Sequence, residues 1–454
     1  MREVHIRDTL SGETRPLEPS DPPKVGIYAC GPTVYGRVHV GNARPYVVFS
    51  VLKRYLEHER LEATLVINVT DVNDKIYDAA REQGVASADL AREMTEAYVR
   101  DTDGLGLGRP DHEPLASETM APIVALIGDL IESGHAYEAG GDVYFRVRSY
   151  PRYGELSHRD VEQMDQGEDV EGSDRKEDPL DFALWKARKE GEDTWWDAPW
   201  GQGRPGWHIE CSAMAEELLG LELEVHGGGS DLVFPHHENE AAQTRAARGA
   251  PLARLWMHNG MVQMGDEKMA KSVGNIRLLH VALEQFGRDA LVMYFLGGHY
   301  RQPLAFSEEL LDEARAGVTR IREGLRRVAP GPSPADMAPL KARFFAALAE
   351  DFNTPMALAA VFDWIREANR RGEVGDADLR EMLGVLGLEN LTPLAATGDP
   401  ATIDPEAVAL IEQRNNARSQ RNYDEADRLR EEIRARGWEI RDTADGAELV
   451  PPHS

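Results

Sequence analysis

A chain of 454 residues, 42% of them hydrophobic, is long enough for several domains, each with its own core. Its two cysteines, Cys30 and Cys211, are too few for a stapled secreted scaffold and point to a reducing, cytoplasmic setting where thiols stay free or bind metal. The formal net charge of −28 argues against a polyanionic partner unless basic residues gather locally, and the longest apolar stretch, APIVALIGDLI (121–131), is too short to span a bilayer.

In chain order, KVGIYAC reads as an apolar strand ending at Cys30, and GPTVYG as a turn. A helix follows, with Val48, Val51, Leu52, Tyr55 and Leu56 near helical spacing, and then ATLVINVTDV as a second strand. Strand, helix and strand at this spacing predict a βαβ unit, with a crevice at the carboxyl ends of parallel strands. Cys30, His39 and Thr70 fall at or near that crevice. The middle, 102–200, mixes helical patterns with an acidic, irregular stretch, MDQGEDVEGSDRKEDPLD, expected as a surface insertion.

The α/β pattern resumes at GWHIECSAM, and LELEVHGGG reads as a strand meeting a turn. After KMAKSVGN the chain turns helical, with Leu310, Ala314, Val318, Ile321 and Leu325 on one face of a helix over 307–328. APGPSPADMAP (329–339) and TPLAATGDPATIDP read as breaks. The last part holds an arginine-bearing helix (Arg414 to Arg436) that interleaves Glu and Asp, and a β-like end, WEIRDTADGAELV.

Three short constellations carry chemistry. In GGGSDLVFPHHENE, Pro235 can open a helix on which His236 and Glu240 stand at i and i+4. With the two cysteines they form a candidate S/N/O group suited to zinc, although inert core cysteines and a hydrogen-bonded histidine are the plainer reading. In HVGN, His39 to Asn42 open the first helix, where backbone N–H groups, the close approach allowed by Gly41 and an imidazole donor favour a phosphate. In KMAKS, Lys268 and Lys271 stand three apart beside glycines, as a phosphate clamp or as a solvated charged loop.

Taken together and in this order, HVGN and KMAKS resemble the two signature motifs of class I aminoacyl-tRNA synthetases. CGPTVYGRVHVGN, GWHIECSAM, GGGSDLVFPHHENE, WMHNG, DFNTP and NNARSQRNYDEADRLREEIRARG are similar to the cysteinyl-tRNA synthetase family. The resemblance implies a Rossmann-like parallel-sheet catalytic domain in two halves, 1–115 and 201–300, separated by an insertion at 116–200. A helical domain (301–395) and a small C-terminal anticodon-binding region (396–454) would follow. It implies one zinc ion per chain on Cys30, Cys211, His236 and Glu240, reading the thiolate of L-cysteine, with Thr70 and Trp207 forming the amino-acid pocket. ATP with Mg2+ would be held by His39, Gly41, Asn42, Lys268 and Lys271, and tRNA(Cys) would be the acceptor. The expected enzyme is a cytoplasmic monomer that touches no membrane. Two positions depart from the motifs: Asn42 stands in place of a second His, and Ala270 in place of a Ser. A cysteine ligase of mycothiol biosynthesis and a non-catalytic RNA-binding paralogue are the competing readings.

Overall fold

The computed structural model describes residues 2–164, 175–264, 267–268, 277–372 and 374–391, and beyond them 407, 409–411, 413–414, 417, 422–436, 439–443 and 446–450. A hairpin of β1 (His5–Asp8) and β2 (Glu13–Pro16) leads into β3 (Lys24–Ala29), α1 (Val40–His58) and β4 (Glu62–Ile67). β3 and β4 run parallel, from Lys24 opposite Glu62 to Ala29 opposite Ile67, so the expected βαβ unit is present. Burial along β3 and β4 becomes continuous toward their carboxyl ends, as it must in a sheet covered on both faces. Helices α2 (Asp74–Gln83) and α3 (Ser87–Asp103) follow.

The middle of the chain departs from the sequence reading. After α4 (Met120–Glu132), strands β5 (Ala136–Ala139), β6 (Asp142–Phe145), β7 (Phe182–Ala187), β8 (Trp196–Ala198) and β9 (Gly201–Pro205) form an antiparallel sheet in the order β5-β6-β7-β9-β8. These strands are three to six residues long, too short for an alternating pattern to stand out. The sheet and α4 bury an apolar cluster that Ile209, Ala213 and Ala242 complete, with Trp185 and Phe145 fully enclosed. Most of the acidic stretch expected as a surface insertion, 165–174, lies outside the described residues.

The second half of the parallel sheet comes from α5 (Trp207–Leu219), β10 (Leu223–Gly229), α6 (Glu238–Arg248) and β11 (Ala253–Asn259). The strand order β11-β10-β3-β4 is all parallel, and the chain leaves in opposite directions from β3 and β10. The gap at the carboxyl ends of these two central strands is the topological switch point where such sheets hold ligands.

Beyond it, β12 (Val262–Met264) and β13 (Glu267–Lys268) precede α7 (Leu279–Phe286), α8 (Arg288–Gly297), β14 (Leu304–Ala305) and α9 (Glu308–Arg326). The helix expected over 307–328 is α9, and its serine acts as the N-cap: Ser307 Oγ accepts from Leu310 N at 3.3 Å. Helices α10 (Ala338–Ala349), α11 (Thr354–Arg371) and α12 (Ala377–Val385) pack around Trp364, Phe344 and Phe345, and their core runs without interruption into that of the sheet. The break expected at 392–405 lies outside the described residues. Of the arginine-bearing helix expected over 414–436, the described helix α13 is Tyr423–Ala435: it starts at the Asn422 N-cap, whose side chain accepts from Glu425 N, so Arg414 lies ahead of it. The β-like end is a hairpin of β15 (Glu439–Thr443) and β16 (Gly446–Val450).

Candidate active site

Cys30 follows β3 directly, and its N–H donates to Gly227 O on β10 at 2.9 Å, so the thiol stands at the switch point itself. Cys211 is in the second turn of α5. His236 lies in a wide, kinked turn (Val233–His237), and Glu240 near the start of α6. The regular helix thus begins at Glu238, three residues later than Pro235 suggested, because Phe234 has extended backbone (φ −140°, ψ 133°). The kink leaves the expected pair intact: His236 Nε2 is 3.0 Å from Glu240 Oε1. One ligand atom from each of Cys30, Cys211, His236 and Glu240 lies within 4.8 Å of the others, and all four side chains are buried. Both cysteines are free thiols.

A second overlapping group consists of Cys30, His226, His237 and Glu240, within the same distance. His226 Nε2 is 3.2 Å from Glu240 Oε2, and His237 Nε2 is 3.3 Å from Cys30 Sγ. The sequence reading did not single out His226, because a histidine in an apolar strand looks like a core residue; the three glycines that follow it were the available signal. Two further imidazoles hold the inner ones. His208 Nδ1 lies 2.9 Å from His236 Nδ1, and His258 Nε2 lies 2.7 Å from His237 Nδ1, while His258 Nδ1 meets Thr9 Oγ1 at 2.7 Å.

Burial dominates the electrostatics. It pushes the Cys30 thiol well up, reinforced by Cys211 and Glu240, and pushes His236 down to about 3 and His237 well below the ordinary imidazole range. Glu240 stays lowered, because the attraction of His226 and His236 outweighs its burial. Two soft sulfur donors, neutral imidazoles and one carboxylate within this distance are the donor chemistry of a four-coordinate zinc site. His226 Nδ1 is buried without a hydrogen-bond partner. An ion seated among the donors would offset the cost of burying them together. The residues present therefore fit a metal.

Trp207, half-buried at the start of α5, stacks on the His236 ring with centroids 4.3 Å apart. Thr70, fully buried, accepts from Asn68 Nδ2 at 3.3 Å, and its backbone bonds the turn after Cys30 through Val34 N and Pro32 O, both at 3.1 Å. The structure thus brings Trp207 against a candidate metal ligand and ties Thr70 to the turn that leaves Cys30.

His39 is the N-cap of α1, and Asn42 Oδ1 accepts from its backbone N–H at 3.1 Å. Asn42 is thus a capping residue as well as a candidate phosphate donor. A Cβ at Gly41 would lie 2.9 Å from the His39 ring, so glycine is what lets that ring fold over the helix start. Lys268 is described through its backbone on β13; Lys271 lies outside the described residues. The residues that follow return to the helix start: Val40 N donates to Arg277 O at 2.9 Å and Leu279 N to Val38 O at 3.0 Å.

Similarity to known proteins places this parallel-sheet fold among the class I aminoacyl-tRNA synthetases. The family model for the class I (C) tRNA synthetase catalytic domain matches residues 16–316, the DALR domain model 343–389, and the cysteinyl-tRNA ligase anticodon-binding domain model 401–448. Among solved structures, the Mycobacterium tuberculosis methionyl-tRNA synthetase in complex with methionyl-adenylate superposes with a TM-score of 0.59 at 17% identity, covering 81% of this chain and 88% of that one. Among curated relatives, the cysteine–tRNA ligase of Halorhodospira halophila is 46% identical over 454 residues, and that of Brevibacillus brevis 42% identical over 461, with 98% of both chains covered in each case. The chain belongs to the cysteine–tRNA ligase family.

Proposed function

We propose that this chain activates L-cysteine with ATP and passes the cysteinyl group to the terminal adenosine of tRNA(Cys). The observation that carries the reading is the buried convergence of Cys30, Cys211, His236 and Glu240 at the switch point, one short turn before the His39 helix start. These four residues would hold one zinc ion, which when bound supplies a Lewis-acid position for the substrate thiolate. Cysteine differs from serine by one atom, and a site built around a specific bonding partner can discriminate by roughly 10⁴–10⁵, where an apolar pocket cannot.

In activation, a carboxylate oxygen of cysteine attacks the α-phosphorus of ATP and the bond to pyrophosphate breaks. Charge builds on phosphate oxygens, so the residues supply donors. His39 and the Asn42 amide nitrogen would supply neutral donors at the start of α1, and Lys268 and Lys271 the cations; ATP brings Mg2+. In transfer, the adenosine hydroxyl attacks the acyl carbon and AMP leaves. Thr70 and Trp207 line the amino-acid side, with Trp207 closing over a small substrate. For tRNA, the C-terminal match to an anticodon-binding domain supports the reading. Arg428 of α13, however, is engaged by Glu425 and Glu432, so this part of the helix is no uncompensated basic stripe.

No described helix is long and apolar enough to cross a membrane. The test is cysteine-dependent exchange of pyrophosphate into ATP, followed by charging of tRNA, with serine as control and zinc measured per chain. Charging is the expected outcome. Exchange without charging of any tRNA, but with transfer to glucosaminyl-inositol, would reassign the enzyme to amino-sugar ligation, and absence of exchange would reject activation altogether.

A further inference from the structure

The DFNTP motif contributes none of the groups invoked above, yet its aspartate accepts hydrogen bonds from three residues. Asp351 Oδ1 accepts from Tyr300 OH at 2.7 Å and Arg7 N at 2.9 Å; Oδ2 accepts from Arg301 Nε at 2.7 Å and meets Arg301 Nη2 at 2.6 Å. Asp351 and Phe352 hold left-handed backbone (φ 55° and 47°), uncommon for residues with side chains, and Phe352 is fully buried. A strained corner persists only when its surroundings over-determine it. Here the surroundings are the segment 299–301 and β1, whose His5 O accepts from Asp351 N at 2.9 Å and whose Arg7 N donates to its carboxylate.

That segment in turn holds β12, the strand that enters the lysine-bearing stretch. Gly260 N donates to Tyr300 O at 2.7 Å, Leu304 N to Met261 O at 2.9 Å and Phe306 N to Gln263 O at 2.7 Å, while β12 pairs with β14 in parallel. The approach is close enough that a Cβ on Gly260 would lie 2.2 Å from Gln302 O. From the other side comes Arg44 of α1, 1% exposed. Its Nη1 donates to Gly260 O at 2.6 Å and Met261 O at 3.2 Å, and its Nη2 to His299 O at 3.1 Å. No carboxylate pairs with it among the described residues; the two Nη groups of this buried guanidinium go to three carbonyls at one junction, while its Nε has no partner.

We propose that Asp351 and Arg44 are positioning residues for nucleotide activation: together they set β12 against the helix start that bears His39. This inference rests on the nucleotide reading above. The far end of the same stretch reaches that helix start by backbone bonds alone, at Arg277 and Leu279. Among the described residues, the hydrogen bonds from the near end to α1 come from the Arg44 side chain, beside the packing of Val262 against Gly41, and Asp351 holds the 299–301 segment that Arg44 also bonds.

Asp351→Ala, Tyr300→Phe and Arg44→Lys in the full chain test this, with KM for ATP and for cysteine read separately in pyrophosphate exchange, alongside zinc content and melting temperature. Hydrogen bonds to charged groups imply that Asp351→Ala raises KM for ATP roughly tenfold, with KM for cysteine and zinc content unchanged. Tyr300→Phe, which keeps the ring and removes one bond, gives the same signature at about two- to fivefold, and decides the matter should Asp351→Ala not fold. Arg44→Lys keeps the charge but cannot span three carbonyls, and raises KM for ATP likewise. Equal rises in both KM values, or an unchanged KM for ATP in correctly folded Tyr300→Phe and Arg44→Lys, would overturn the assignment. Absence of exchange in the unsubstituted enzyme would instead overturn the activation reading.

Discussion

The parallel sheet and the helical region from α9 to α12 bury very different things. At the carboxyl ends of β3, β4, β10 and β11 the interior holds Asn68, Thr70, Glu210, His226, His237 and Glu240, several with polar atoms that find no protein partner. The helical region buries Trp364, Phe344, Phe345, Leu379 and Met382, and its few enclosed acids, Asp351, Asp376 and Asp378, sit at corners and helix starts with partners in hand. Unpaired buried polar atoms occur in both regions, Trp364 Nε1 among them, but among the described residues the unpaired carboxylate oxygens stand at the sheet, where burying them is costly without a ligand. The contrast separates a site from a scaffold, and it can be broken by experiment.

The largest expected effect falls on the sheet. Cys211→Ala removes a donor from the cluster at little cost in volume. Zinc content falls to near zero and cysteine-dependent exchange drops by more than the roughly 100-fold that outer partners of a metal site command. Zinc content equal to the unsubstituted enzyme would show that these four residues are not the ligand set. Next comes the scaffold: Trp364→Ala opens a cavity in the helical core and destabilises by about 3–5 kcal/mol. Its KM for cysteine and for ATP stay unchanged below the new melting transition, and a selective change in either would erase the distinction drawn here. His208→Ala, which strips the partner at 2.9 Å from His236, sits between the two. Zinc affinity, measured by competition with a chelator, weakens roughly 10- to 100-fold while melting of the zinc-loaded protein barely moves.

What the sequence made legible follows from range. The βαβ unit, α9 and its cap are written in local patterns, and Cys30, His39 and Glu240 stood out because their residue types are rare or their spacing is helical. His226, His208 and His258 did not, since each is a single polar residue inside an apolar or helical run, and only the sheet order brings them to Cys30 and His236. The antiparallel insertion sheet was missed because its strands are short and its partners are distant: Val143 pairs with Trp185, and Trp185 with Pro205. Asp351 is the extreme case. DFNTP was visible as a motif, but its partners Arg7, Tyr300 and Arg301 lie up to 344 residues away, so nothing local could say what the aspartate does.

The smallest expected effect tests the boundary between the two regions. Ser307 caps α9, with Glu308 and Glu309 in the first turn to complement the helix dipole. Ser307→Ala leaves the Leu310 N–H without its acceptor and costs about 1 kcal/mol, seen as a small drop in melting temperature, whereas Ser307→Asp restores the cap. Ser307 follows β14 by only two residues, and β14 is what β12 leans on. If caps in the helical region serve stability alone, the KM for ATP is the same in both variants. If it rises in Ser307→Ala and returns in Ser307→Asp, the start of α9 belongs with Asp351 and Arg44. The boundary between scaffold and site would then run through α9 rather than ahead of it.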